Sequence, residues 1–244
     1  MFAFRDSRGP VEVAFTDRYG GVSEGPWESL NLGTSNGDDP ERVAHNLDLV
    51  SSKFGVDPSR LVRMSQEHGD RVSTVAERPD EIPVADGLIT SAPDLGLLVR
   101  VADCVPVVLA DTEAGVVGVA HAGRPGLVVG IVASTVTRMH AAGARTIVAW
   151  LGPRVCGSCY EVPEPMRSEV ADAVPDAWAT TSWGTPAVDV GAGVASQLRG
   201  IGVEVVDVMD SDEKLCTREN TDLFSYRRQG QRSGRLGGLV RIRP

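Results

Sequence analysis

Three side chains with ligand or nucleophile chemistry, His68, Cys104 and His121, stand at breaks between apolar segments of this 244-residue chain. Two imidazoles and one thiolate suit zinc and leave a fourth position for water or substrate, as a catalytic zinc requires. Their wide spacing matches no compact finger motif, so only the fold can unite them. The same residues support a metal-free reading in which Cys104 is a nucleophile, His121 its base, and a further polar group orients the imidazole for acyl transfer or deamidation. A plainer reading also stands, with an inert buried thiol and two histidines hydrogen-bonded in turns. Asp103, next to Cys104 inside an apolar run, weighs against it, because carboxylates are seldom buried without partners.

Other candidates surround these three. The glycine turn at 123–126 presents Arg124 ahead of an expected helix, where backbone N–H groups attract anions; a tight strand-to-helix connection would need the same glycines. Gln66 lies in the polar break before His68. Tyr226-Arg227-Arg228 has the arginine forks that match phosphate or carboxylate, or else forms a solvated basic tail. Cys156 and Cys159 have the spacing of a redox dithiol or of half a zinc knuckle, but Tyr-Glu-Val-Pro follows where a redox motif should open a helix. Cys216 alone remains as a distant third ligand.

The elements that must position these residues are legible in part. VEVAF at 11–15 alternates like a strand, and DDPERVAHNLDLVSSKF has proline at a first turn and Val43, Leu47, Val50 and Phe54 at helical spacing, ending near Gly55. RLVRMSQEHGDRVSTVA reads as two extended pieces around a turn that puts His68 at a strand end. LLVRVADCVPVVLAD is a core-like strand region interrupted by Asp103-Cys104 and Pro106. A buried strand then reaches His121, and one long helix is expected from there to about Met139. TIVAWLGP is a short strand, MRSEVADAVP a helix, and PAVDVGAGVASQLRGIGVEVVDVM a helix followed by a strand.

The composition, 42% hydrophobic and 23% charged, suits one large globular domain, and no repeat or low-complexity linker divides it. The formal net charge of −9 argues against nucleic acid or anionic lipid as partners, so an anionic substrate must meet local arginines. No long apolar stretch or leader-like segment occurs, and Cys 4 is too few for a disulfide scaffold, so a cytoplasmic protein with reduced thiols is expected.

On LNLG at 30–33, QEHG at 66–69, ADGLIT at 85–90, ADCVPVVLAD at 102–111, HAGRPGL at 121–127, CYEV at 159–162 and CTREN…LFSYRR…SGR at 216–235, the chain resembles the YfiH-like, or laccase-domain, family. The resemblance implies an α/β (α+β) fold, a single domain over 1–244 with mixed β-sheets flanked by helices, related to cysteine hydrolases. It implies a zinc site at His68, Cys104 and His121, and a purine nucleoside enzyme that cleaves adenosine, inosine or methylthioadenosine with phosphate and deaminates adenosine. Catalytic roles would extend to Gln66 and Asp103, and substrate or anion contacts to Asn31, Arg124 and Arg227. A copper-oxidase label and a peptidoglycan-precursor editing role also attach to the family; the former needs more histidines than the four present. The common HAGWRG appears here as HAGRPG, which moves the arginine by one residue.

Overall fold

The computed structural model describes residues 1–210 and 215–243. Its core strands are β1 (Phe2–Arg8), β2 (Val11–Thr16), β3 (Leu61–Arg63), β4 (Val72–Thr74), β5 (Gly87–Thr90), β6 (Gly96–Val101), β7 (Val105–Asp111), β8 (Val116–Ala122) and β9 (Val148–Leu151). The hairpin β10 (Trp178–Thr180) and β11 (Pro186–Val188) follows, then β12 (Glu204–Asp207) and β13 (Leu236–Ile242). A five-stranded sheet runs β1-β2-β13-β6-β3 and a six-stranded sheet β12-β9-β7-β8-β5-β4. Both are mixed, since β3 lies parallel to β6, β4 to β5 and β12 to β9 among antiparallel neighbours.

The near-continuous apolar run of β7 follows from burial on both faces. Val107 and Leu109 pack with Val132, Val136 and Val194 on the helix side, whereas Val108 and Ala110 pack with Phe15, Val99 and Trp150 between the two sheets. Two-residue alternation thus assigns each side chain to one of two cores. The helices α3 (Ile131–Ala141) and α5 (Val190–Gly200) cover the six-stranded sheet, with α4 (Glu164–Ala173) joining that core through Val170, and α1 (Pro40–Phe54) covers the five-stranded one through Val43, Leu47, Val50 and Phe54. The layers run helix, sheet, sheet, helix, the mixed α/β arrangement the resemblance implied.

Helix α1 begins at Pro40 with Asp39 accepting the Glu41 N–H and ends on left-handed Gly55, as its sequence predicts. The long helix expected after His121 is instead two: α2 (Arg124–Val129) and α3, separated by Gly130 at φ 84. Glycine in that conformation ends one helix and redirects the chain into the next. Strands β1, β5, β10 and β13 were not expected from the pattern, and β11 occupies the start of a segment read as helix. Strand β13 is central, pairing with β2 on one side and β6 on the other. No described helix is long and apolar enough to cross a membrane.

Candidate active site

The chain passes from one sheet to the other through Ala102-Asp103-Cys104, between β6 and β7. Asp103 has φ 83, a left-handed conformation uncommon outside glycine, and this turn delivers Cys104 to the seam between the sheets. On the adjacent strand His121 pairs with Pro106, so it ends beside Cys104. His68 arrives from the loop between β3 and β4, also left-handed at φ 64. The three ligand atoms of His68, Cys104 and His121 lie within 4.8 Å of one another. Cys104 Sγ is 3.9 Å from His68 Nε2, and the two imidazole rings meet edge to face at 4.6 Å.

Asp86, at the start of β5, organises this cluster and was not singled out by the sequence. Its Oδ1 accepts from His121 Nδ1 at 2.8 Å and from the His68 N–H at 2.9 Å, and its Oδ2 accepts from the N–H groups of Glu67 and Gly69 at 3.1 and 2.8 Å. One buried carboxylate therefore fixes the unusual backbone at His68 and turns His121 so that Nε2 faces Cys104. The available signal was a carboxylate between Ala85 and Gly87 just ahead of an apolar strand, which by itself also fits a turn.

Burial disfavours the Cys104 thiolate, but the charge and hydrogen bonding of His121, with His68 behind it, outweigh burial and bring the thiol down to about 6. Burial likewise opposes the His121 imidazolium, and the thiolate and Asp86 raise it to about 9. In metal-stripped protein, alkylation of Cys104 by iodoacetamide is expected to rise through a midpoint near pH 6, because the thiolate is the reactive form. A midpoint at the ordinary thiol value of ~8.5 would contradict this electrostatic account.

Gly123, the glycine of the HAG motif, is set by space. A Cβ there would lie 2.7 Å from His68 Cδ2 and 3.1 Å from Cys104 Sγ. Gly123→Ala is expected to push His68 aside and weaken metal binding by roughly 10-fold or more, the range found for groups that orient ligands; isothermal titration of metal-stripped protein with zinc measures it, and unchanged affinity would contradict the packing.

The cluster lines an open cavity of about 1050 Å³ whose wall includes Gln66, Arg100, Asp103, Arg124, Tyr160, Tyr226, Arg227 and Arg235. Asp103 is the only carboxylate among the described lining residues, and its charge is engaged: Oδ1 accepts from Thr217 Oγ1 at 2.6 Å and Oδ2 from the Arg227 N–H at 2.6 Å. It lines the cavity and at the same time pins the C-terminal segment to the Cys104 turn. Gln66 is similarly committed, exchanging hydrogen bonds with the N–H and carbonyl of Arg100 at 3.0 and 2.7 Å. Asn31 is fully buried outside the lining, its amide bonded to Asp38 at 2.8 Å and to the N–H groups of Gly33 and Arg235 at 2.8 and 2.9 Å. Its hydrogen bonds shape the loop that carries Gly33 and Thr34 to the cavity.

The arginines give the cavity its sign. Arg124 lines it with no hydrogen bond or ion pair to the described residues. Arg227 stacks over Tyr160 at 4.4 Å and donates to the Glu161 carbonyl at 2.9 Å. Arg100 and Arg235, which pattern did not single out, are the more informative pair. Burial, reinforced by the neighbouring Arg63 and Arg235 charges, lowers Arg100 to about 10, and its buried Nε has no partner among the described residues. Arg235 is also lowered, chiefly by burial, and among the described residues its guanidinium donates to carbonyl and hydroxyl oxygens of Ser233 and Gly234. Guanidinium groups crowded together with no ion-pair partner among the described residues favour an anionic ligand.

The family described as multi-copper polyphenol oxidoreductase laccase matches residues 12–243. A Streptomyces coelicolor protein named purine nucleoside phosphorylase is 50% identical over 98% of this chain and 99% of its own. A Streptomyces griseus protein of that name is 52% identical over 95% of this chain and 94% of its own. Among solved structures, a Neisseria meningitidis protein of the DUF152 family superposes with a TM-score of 0.87 at 30% identity, covering 100% of this chain and 99% of that one. The Bacillus licheniformis protein YfiH gives 0.83 at 29% identity, covering 96% and 93%.

Proposed function

The chain belongs to the laccase-like YfiH family, and on that premise we propose that it is a cytoplasmic, zinc-dependent purine nucleoside phosphorylase acting as one domain over residues 1–244. The observation that carries this reading is the juxtaposition of a His68, Cys104 and His121 ligand set with a cavity walled by Arg100, Arg124 and Arg235. Names of close relatives support the nucleoside and phosphate, and four free thiols support a reducing compartment.

The donor set fits zinc. Three soft or borderline ligands converge on the cavity, His121 is oriented by Asp86 through its other nitrogen, and the cavity side stays open. An ion held there supplies Lewis acidity at the cavity floor. Copper shares the two-histidine, one-cysteine preference, but polyphenol oxidation through several coppers finds only His45 and His140 besides, which lie on α1 and α3.

In phosphorolysis a phosphate oxygen bonds to the anomeric carbon of the ribose while that carbon's bond to the purine nitrogen breaks. The purine departs with the bonding pair and takes up a proton, leaving ribose 1-phosphate. Arg124, Arg100 and Arg235 hold the phosphate and screen its charge as it approaches. With Gln66 bonded to the Arg100 backbone and Asp103 to the Thr217 hydroxyl and the Arg227 N–H, the proton reaches the base from phosphate or solvent. Adenosine deamination, with water replacing the purine amine and ammonia leaving, uses the same cavity. The test is base release from adenosine, inosine and methylthioadenosine against phosphate concentration. A rate saturating in phosphate is expected; a rate indifferent to phosphate would refute the phosphorylase reading. Arg124→Ala should raise the KM for phosphate by roughly 10-fold, about 1.4 kcal/mol, and leave zinc content unchanged; an unaltered KM would remove Arg124 from the phosphate site.

One further observation favours a second reading. The sequence Cys104, His121, Asp86 in space is that of a cysteine hydrolase, with thiolate, imidazole and orienting carboxylate. An amidase acting on an amino-acid amide or a peptidoglycan precursor would pass through an acyl thioester on Cys104, detectable by intact mass; zinc on the same sulfur would suppress it.

A further inference from the structure

A second sulfur cluster lies behind the cavity wall and plays no part in the reading above. Cys156, Cys159, Cys216 and Glu219 offer three sulfurs and a carboxylate oxygen that all lie within 4.8 Å of one another. Two segments distant in sequence bring them together: the turn after β9, and the turn following residue 215. Arg154 and Cys216 form a β-bridge, and the Thr217 N–H donates to the Arg154 carbonyl at 2.9 Å. Cys159 and Cys216 are buried, with Val155, Tyr160 and Met209 packed around them.

The local geometry is that of a ligand site more than of a redox pair. Cys156 and Cys159 lie in a turn and the next helix opens only at Glu164, whereas a reactive CxxC thiol commonly sits at a helix N-terminus that favours its thiolate. All three are free thiols. The Cys156 N–H points at Cys216 Sγ at 3.5 Å, so the sulfur is placed as an acceptor, the role a ligating thiolate takes. Tetrahedral zinc with bonds of about 2.3 Å to sulfur requires sulfurs roughly 3.8 Å apart, a spacing the 4.8 Å bound on this cluster accommodates.

We propose that Cys156, Cys159 and Cys216, with Glu219 as fourth ligand, hold a second zinc ion in a closed, structural site. On binding, each thiol releases its proton to solvent and each sulfur gives an electron pair to the ion. Three thiolates and a carboxylate on a divalent ion leave a formal charge of about −2. Cations stand beside it: Arg218 donates to the Cys159 carbonyl at 2.6 Å, and Arg228 donates to the carbonyls of Thr217, Arg218 and Asn220 at 2.5, 3.0 and 3.0 Å. The site would fasten the C-terminal segment where Thr217 and Arg227 grip Asp103, one residue from Cys104.

The proposal is tested on the full chain carrying Cys104→Ala, which removes the thiolate of the first site, so that remaining metal reports on the second. Purified without chelator under reducing conditions, this variant should carry one zinc per chain by native mass spectrometry, lost on adding Cys216→Ser. Stripped of metal and titrated with cobalt(II), it should develop a thiolate-to-cobalt charge-transfer band that saturates at one equivalent. That second readout needs no further substitution and stands even if Cys216→Ser fails to fold. Absence of both zinc and the cobalt band would overturn the proposal, as would a disulfide joining Cys156 to Cys216 in protein alkylated at lysis.

Discussion

Cys104→Ala is expected to lower nucleoside turnover by on the order of 10³-fold while the protein remains folded. The substitution deletes one sulfur from a half-buried position at the seam of the two sheets, where it packs against the edge of the inter-sheet core without belonging to its fully buried set. It removes the only soft donor of the His68, Cys104 and His121 set. A catalytic ion contributes several kcal/mol of charge stabilisation, and about 4 kcal/mol corresponds to a factor of 10³. Steady-state rates and far-ultraviolet circular dichroism on the same preparation measure both halves of the expectation. Turnover within a few-fold of the parent would exclude the cysteine from the chemistry under either the phosphorylase or the hydrolase reading.

Asp86→Ala carries the second large effect, on stability as well as on the site. The carboxylate is 1% exposed and accepts from His121 and from three consecutive backbone N–H groups. Removing it strands a buried imidazole and those donors together, a change that typically costs about 3–5 kcal/mol. Urea unfolding at neutral pH measures this, and a loss below ~1 kcal/mol would contradict the role assigned to Asp86. The pH dependence has a definite sign. Burial opposes ionisation of Asp86, but its hydrogen bonds and His121 outweigh burial and hold the carboxyl below its usual range. A depressed folded-state value means that its stabilisation is present above the usual carboxylate range and lost as pH falls through the depressed one. The parent should therefore lose stability more steeply than Asp86→Ala in that acidic window. Asp86→Asn, which keeps the shape and surrenders the charge, should bind zinc 10- to 100-fold more weakly, the usual effect of losing an outer partner.

The clustered residues His68, Cys104 and His121 stood out in the sequence because each lies at a break between apolar segments: Cys104 between β6 and β7, His121 at the end of β8, His68 in the polar turn between two short strands. Helix α1 was equally legible, with proline, a 3.6-residue period and a terminal glycine all agreeing. What pattern could not give were partners chosen by the fold. Asp86 reads locally as a turn residue, and only the pairing of β5 with β8 carries it beside His121. Asp103 and Gln66 look like free polar groups because the Thr217, Arg227 and Arg100 atoms that bind them are distant in sequence or on the backbone. Strand β13 was hidden by Gly237 and Gly238, which weaken the strand signal; a Cβ on Gly238 would meet Phe15 and Val99 of the flanking strands β2 and β6 at 3.0 Å, so their side chains already fill its space. The single long helix expected after His121 failed at Gly130, whose breaking role depends on a left-handed conformation that the sequence allows without demanding.

The central claim, cleavage of a nucleoside by phosphate in the arginine-walled cavity, is tested most directly by following adenosine and inorganic phosphate with the zinc-loaded protein by phosphorus NMR. The account predicts a growing ribose 1-phosphate signal that matches the adenine released mole for mole. Free ribose with adenine, or inosine without any phosphate ester, would contradict it.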